Sequence, residues 1–239
     1  MEWYEPMSVA DHKVFAERTA KKLAKSLGRP LEGIQSSKQS VAESFWGKAW
    51  CKHLKSYADY DHRLSRGRSY LKNALVLDLQ LLPGRVEAYV CGTELYELSI
   101  DFKALDLERW NAFKKVCAGK VNSMIDLLSA KLSDEVIVAM LDVDSGLFPN
   151  SRELVISCNC LDHARFCKHV SAVLYGVAIR FDKNPELFFA LRQVDVSELF
   201  EENRKALDIE SGDFSDADLG SLFGIELVDP DQDAKKVDS

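Results

Sequence analysis

The chain has 239 residues, 46% of them hydrophobic and 29% charged, which is enough apolar content to bury a core and too much for a disordered polymer. Its net charge of −7 argues against a uniformly basic nucleic-acid binder, but the charge is unevenly placed. Asp208 to Ser239 holds ten acidic residues against Lys235 and Lys236, giving −8 and leaving +1 on residues 1–207. No run of 18 apolar residues occurs and the first residues lack a basic leader followed by an apolar segment, so the expectation is a cytoplasmic protein with no membrane partner. In a reducing compartment, clustered cysteines mean metal or catalysis more often than disulfides.

In chain order, Ser8 and Asp11 suit a helix start, and Ala16, Ala20, Leu23 and Leu27 recur at helical spacing until Gly28 and Pro30. The other side of that helix carries Lys13, Arg18, Lys21, Lys22 and Lys25. A second helix is predicted over 41–57, burying Phe45, Trp46, Ala49, Trp50 and Leu54. The run H-R-L-S-R-G-R-S-Y-L-K-N that follows is basic, contains one aromatic, and reads as a loop. Three alternating segments at 76–81, 86–91 and 95–102 then predict a three-stranded antiparallel meander, with Pro83-Gly84 as one turn.

One face of that sheet would hold Leu77, Leu79, Leu81, Val86, Ala88, Val90, Leu98 and Ile100, and it needs a helical cover. Residues 107–132 are the expected cover, as two helices broken near Gly119 whose stripe is Leu107, Trp110, Phe113, Val116, Ile125 and Leu128. A short helix near 135–141 follows, and Asp142 with Asp144 reads as a turn rather than a cation site. Cys51, Cys91 and Cys117 stand alone and read as small buried hydrophobes.

The fourteen residues S-C-N-C-L-D-H-A-R-F-C-K-H-V hold the remaining three cysteines and two histidines. They lie between a predicted strand at 153–157 and a predicted helix that begins at His169 and buries Val170, Val173, Leu174, Val177 and Phe181. The pattern is C-x-C, six residues, C-x-H. Cys158, Cys160, Cys167 and His169 can supply the four soft or borderline ligands of a tetrahedral zinc ion if the six intervening residues fold back as a hairpin. Two disulfides are disfavoured by compartment, a Cys-His nucleophile leaves two thiols unexplained, and iron–sulfur ligation normally uses four thiolates. His163 would be a fifth donor and is expected at the surface. Four protein ligands leave no open position, so the zinc is expected to be structural.

C-x-C-x6-C-x-H between a strand and an apolar helix resembles the SWIM zinc finger. L-F-P-N-S-R-E-L-V-I-S-C-N-C, C-K-H-V-S-A-V-L-Y-G-V-A-I-R-F, R-G-R-S-Y and L-G-S-L-F-G-I-E-L extend the resemblance to stand-alone bacterial SWIM proteins. It implies zinc at Cys158, Cys160, Cys167 and His169, and a DNA-binding or protein-interaction role beside a helicase-like chromatin-remodelling-type ATPase. It implies no enzymatic activity of the chain itself, which lacks a phosphate-cradling G-K-[ST] loop.

The expectation is therefore an α+β protein with a three-stranded antiparallel sheet, surrounding helices and a small strand-hairpin-helix zinc finger. Its parts are a helical and antiparallel-sheet domain at 1–144, the finger with following helices at 145–206, and an acidic tail at 207–239. DNA or RNA would be met by Arg63, Arg66, Arg68 and Lys72 with Tyr70, and by Arg165 and Lys168 beside Arg152 and His163 in the hairpin. A docking scaffold is the alternative, drawing on Leu219, Leu222, Phe223, Ile225 and Leu227 in the tail. An enzyme is disfavoured because His12, His53 and His62 each stand alone in sequence.

Overall fold

The computed structural model describes residues 9–36, 40–57, 61–121, 123–162 and 164–200. The expectations for Ser8, for His163 and for the tail at 207–239 lie outside the described residues.

The first helix, α1 (Val9–Leu27), forms as its periodicity predicts. It lays Ala16 and Leu23, flanked by Phe15, Ala20 and Leu27, over Leu75, Leu77 and Cys91. Helix α2 (Phe45–Leu54) starts later than expected because Ser44 caps it, its hydroxyl accepting from the Gly47 amide at 3.1 Å. Asp182 in turn accepts from the Glu43 and Ser44 amides and the Ser44 hydroxyl. Trp46 and Trp50 are fully buried, and each indole N–H reaches a main-chain carbonyl, of Leu128 and Leu174 respectively. The helix closes in a 3-10 turn at Lys55–Tyr57.

The basic run expected as a loop is a helix, α3 (Asp61–Lys72). Leu64, Gly67 and Leu71 form its buried stripe at i, i+3 and i+7, too thin a signal among eight polar residues to be read from periodicity. Its glycine, Gly67, is the contact point. A Cβ on Gly67 would come within 2.6 Å of Ser171 Cβ and 2.8 Å of the Ala172 amide nitrogen.

Strands β1 (Val76–Leu82), β2 (Arg85–Cys91) and β3 (Leu95–Phe102) form the antiparallel meander, turning at Gly84 with φ 69°. The sheet has four strands, not three. Strand β4 (Leu154–Cys158) pairs antiparallel with β3, setting Leu154 opposite Phe102, Ile156 opposite Ile100 and Cys158 opposite Leu98. Its alternation was legible, but its partner lies some fifty residues upstream and nothing local names it.

One side-chain assignment is also reversed. The register of β1 shifts between Val76 and Asp78, so Val76 joins the main core with Leu79 while Leu77 turns to the smaller core under α1. Asp78, 1% exposed, is held by the Arg29 guanidinium at 2.6 and 3.1 Å and by the Glu32 amide at 2.7 Å.

The cover of the main face is not residues 107–132. Helix α4 (Leu107–Cys117), α5 (Met124–Leu128) and α6 (Asp134–Leu141) pack around Trp110, Phe113, Cys117 and Leu127, leaving Leu107 and Ile125 73% and 74% exposed. The covering helix is α7 (Lys168–Lys183), which meets β1, β2, β4, α2 and α3. Every residue from His169 to Ala178 is buried, as a helix apolar on nearly all sides requires. Helix α8 (Glu186–Arg192) follows and adds Phe188 and Phe189 to the aromatic cluster around Trp46.

Candidate metal centre

Two elements bring the donors together. Cys158 ends β4, which the sheet fixes by its pairing to Leu98, and Cys160 follows two residues later. Cys167 is the N-cap of α7, its sulfur accepting from the Val170 amide at 3.5 Å, and His169 sits in the first turn of the same helix. The His169 Nδ1 lies 3.9 Å from both the Cys158 and the Cys167 sulfur. All four donor atoms fall within 4.8 Å of one another. A tetrahedron with bonds of about 2.0–2.3 Å has donor–donor edges of about 3.3–3.8 Å, so these four side chains close on one small ion with little adjustment.

Electrostatics favour the same use. The Cys158 thiol beside it, followed by His169 and the Val170 amide, favours the Cys167 thiolate and lowers its pKa, against the opposing effect of burial. A thiolate is the form that binds metal. Cys158 is pushed up, chiefly by the neighbouring Cys167, and burial raises Cys160. Cys51 and Cys117 behave as lone hydrophobes, with burial raising them to about 11 and about 12, and burial raises Cys91 as well. All six cysteines are free thiols.

The packing around His169 was missed in the sequence. Tyr96 stacks on the imidazole at 4.0 Å between centroids, and Tyr70 meets it edge-on at 5.3 Å. Gly92 leaves room for this arrangement, since a Cβ there would lie 2.8 Å from the Tyr96 ring and 3.1 Å from the Tyr70 hydroxyl. The ring is thus held flat between aromatics with Nδ1 toward the sulfurs, while Nε2 is buried without a hydrogen-bond partner. The only sequence hint was an aromatic at Tyr70 within a basic run.

Below the centre, β4 is locked by a buried ion cluster. Arg192, 1% exposed, donates to Glu153 at 2.9 Å and to the Lys103 carbonyl at 2.9 Å. Arg109 reaches the same carboxylate at 3.3 Å, and the Asn150 amide reaches it at 2.8 Å. Burial pushes the Glu153 carboxyl up, but Arg192 and the Asn150 amide outweigh it and hold the group below the usual carboxylate range. Asp142 accepts from the Asp144 and Ser145 amides and the Ser145 hydroxyl, the turn expected of it.

The basic residues expected to meet nucleic acid are dispersed. Arg63 pairs with Asp162, tying α3 to the loop between β4 and α7. Arg165 folds under that loop and donates to the Ser151 and Leu154 carbonyls. Lys168 lies over the Tyr70 ring at 5.4 Å, and Arg68 over Tyr175 at 5.0 Å. Arg66 and Lys72 are exposed on α3. His53 is far from these roles, half-buried with its Nε2 2.6 Å from the Pro149 carbonyl and its pKa lowered by burial.

Among the described residues, no helix is long and apolar enough to cross a membrane. No family model matches the sequence, and no solved structure matches it. Over 170 residues the chain is 31% identical to an uncharacterized protein of Mycobacterium tuberculosis, an alignment that takes in 69% of this chain and 61% of the relative. The chain therefore spans less than two thirds of that relative's length.

Proposed function

We propose that the protein is a zinc-stabilised, non-catalytic module that binds nucleic acid and serves a helicase-like chromatin-remodelling-type ATPase of the kind that the SWIM-like motif implies. The observation that carries this reading is the closed Cys3His set: Cys158, Cys160, Cys167 and His169 supply four donors to one point and leave no position for substrate or an activated water. Three thiolates and one imidazole suit zinc better than a hard cation. Exposed cations on α2 and α3 support a phosphate-binding role, with Arg66 and Lys72 among them.

The test is fluorescence anisotropy of zinc-loaded protein with short single-stranded and duplex oligonucleotides over a salt series. Micromolar binding that weakens steeply with salt is the expected outcome. Absence of binding at low salt to either form overturns the nucleic-acid part of the reading and makes protein docking the leading role.

A further inference from the structure

The cations around the metal loop already have partners within the fold, Arg63 on Asp162 and Arg165 on main-chain carbonyls. Between α2 and α3 the situation differs. A groove of about 250 Å³ is lined by Lys48, Lys52 and Lys55 from α2 and its terminal turn, by Arg68 from α3, and by Ser40 and Cys51, with no carboxylate in its wall. The three lysines follow one another at i, i+4 and i+7, on the side of α2 opposite its buried tryptophans.

All four cationic side chains are exposed, and among the described residues none of them forms an ion pair. Asp182, whose charge is felt at Cys51 in the groove wall, spends its oxygens on the Glu43 and Ser44 amides and the Ser44 hydroxyl. Tyr175 supports the Arg68 guanidinium at 5.0 Å without neutralising it. Residues 1–207 carry a net charge of only +1, so this concentration does not follow from a generally basic surface. Like charges at helical spacing repel, and a polyanion relieves that repulsion.

We propose that the α2–α3 groove binds the phosphodiester backbone of a nucleic-acid strand, with Lys48, Lys52, Lys55 and Arg68 as the phosphate contacts. This rests on the nucleic-acid reading above and moves its main contact surface away from the metal loop. From Lys48 to Lys55 the helix advances about 10 Å, the length of about three nucleotides at a 3.4 Å rise.

The experiment measures anisotropy of labelled single-stranded and duplex oligonucleotides with the zinc-loaded full chain. Three variants are compared: Lys48→Gln/Lys52→Gln/Lys55→Gln, Arg68→Gln, and Lys21→Gln/Lys22→Gln/Lys25→Gln on the exposed side of α1. The groove triple should lose about 10-fold or more in affinity at low salt, and its log–log salt slope should fall by about 2 to 3. Arg68→Gln should lower the slope by about one contact. The α1 triple, with the same change in charge, should stay within about threefold of the parent. Circular dichroism and zinc content establish that each variant is folded. Equal losses in the two triples mean that only net charge matters, and the groove proposal falls. A parent that binds while the groove variants bind equally well overturns the groove alone. A parent that binds neither oligonucleotide overturns the groove together with the nucleic-acid reading.

Discussion

At the scale of single residues, two side chains carry the sharpest consequences. Cys167 is both a candidate metal donor and the cap of α7, so Cys167→Ala removes a thiol of the Cys3His set and the acceptor of the Val170 amide together. The expected result is loss of bound zinc from one equivalent to well under half, with a lowered melting temperature, read by plasma mass spectrometry and thermal unfolding. Retention of a full equivalent would contradict the ligand assignment. Glu153 bears on pH. Its carboxyl is held below the ordinary range in the fold by Arg192 and the Asn150 amide despite burial, so its stabilisation is complete above the unfolded carboxylate's pKa and is lost as pH falls through the folded value. Glu153→Gln leaves Arg192 buried without a counter-charge, at a cost of about 3–5 kcal/mol at neutral pH. The melting temperatures of parent and variant should converge as pH drops toward the carboxylate range, and a gap that stays constant down to acid pH would refute this account.

At the scale of elements, the sequence told most where signals were local. The four donors were legible because C-x-C and C-x-H together span only twelve residues, and α1, α2 and the strand bounds followed from period and turn chemistry. Three features were hidden. The fourth strand needed a distant partner, the bulge at Val76 and Asp78 left the alternation intact while turning Leu77 to the other core, and α3 looked like a loop because its glycine is a packing surface. That last point is testable. Gly67→Ala favours the helix by propensity, yet its methyl would collide with Ser171 and the Ala172 backbone. Overpacking should win, costing about 1–3 kcal/mol by chemical denaturation. A stabilised variant would mean that α3 and α7 can separate freely.

At the scale of the whole molecule, charge is divided between the −8 of residues 208–239 and a basic groove on the folded body. If the acidic segment competes for that groove, deleting residues 208–239 should tighten oligonucleotide binding several-fold at low salt and have little effect at high salt. Unchanged affinity at low salt would discard the competition. The Cys3His set was legible in sequence and the aromatic packing on His169 was not, because Tyr96 and Gly92 reach His169 only through the β2–β3 turn.

The fourth strand and α7 have a consequence for modularity. The metal centre's two supports are the edge of the central sheet and the axis of the main core, so it cannot be cut out and grafted elsewhere as a portable cassette. Stripping a bound ion would loosen the same layer that buries Trp50 and Phe181. Hydrogen exchange of the metal-loaded protein should therefore quicken on chelation along α7 and β3 as well as in the loop, the outcome expected if a bound ion acts as a keystone rather than a clasp.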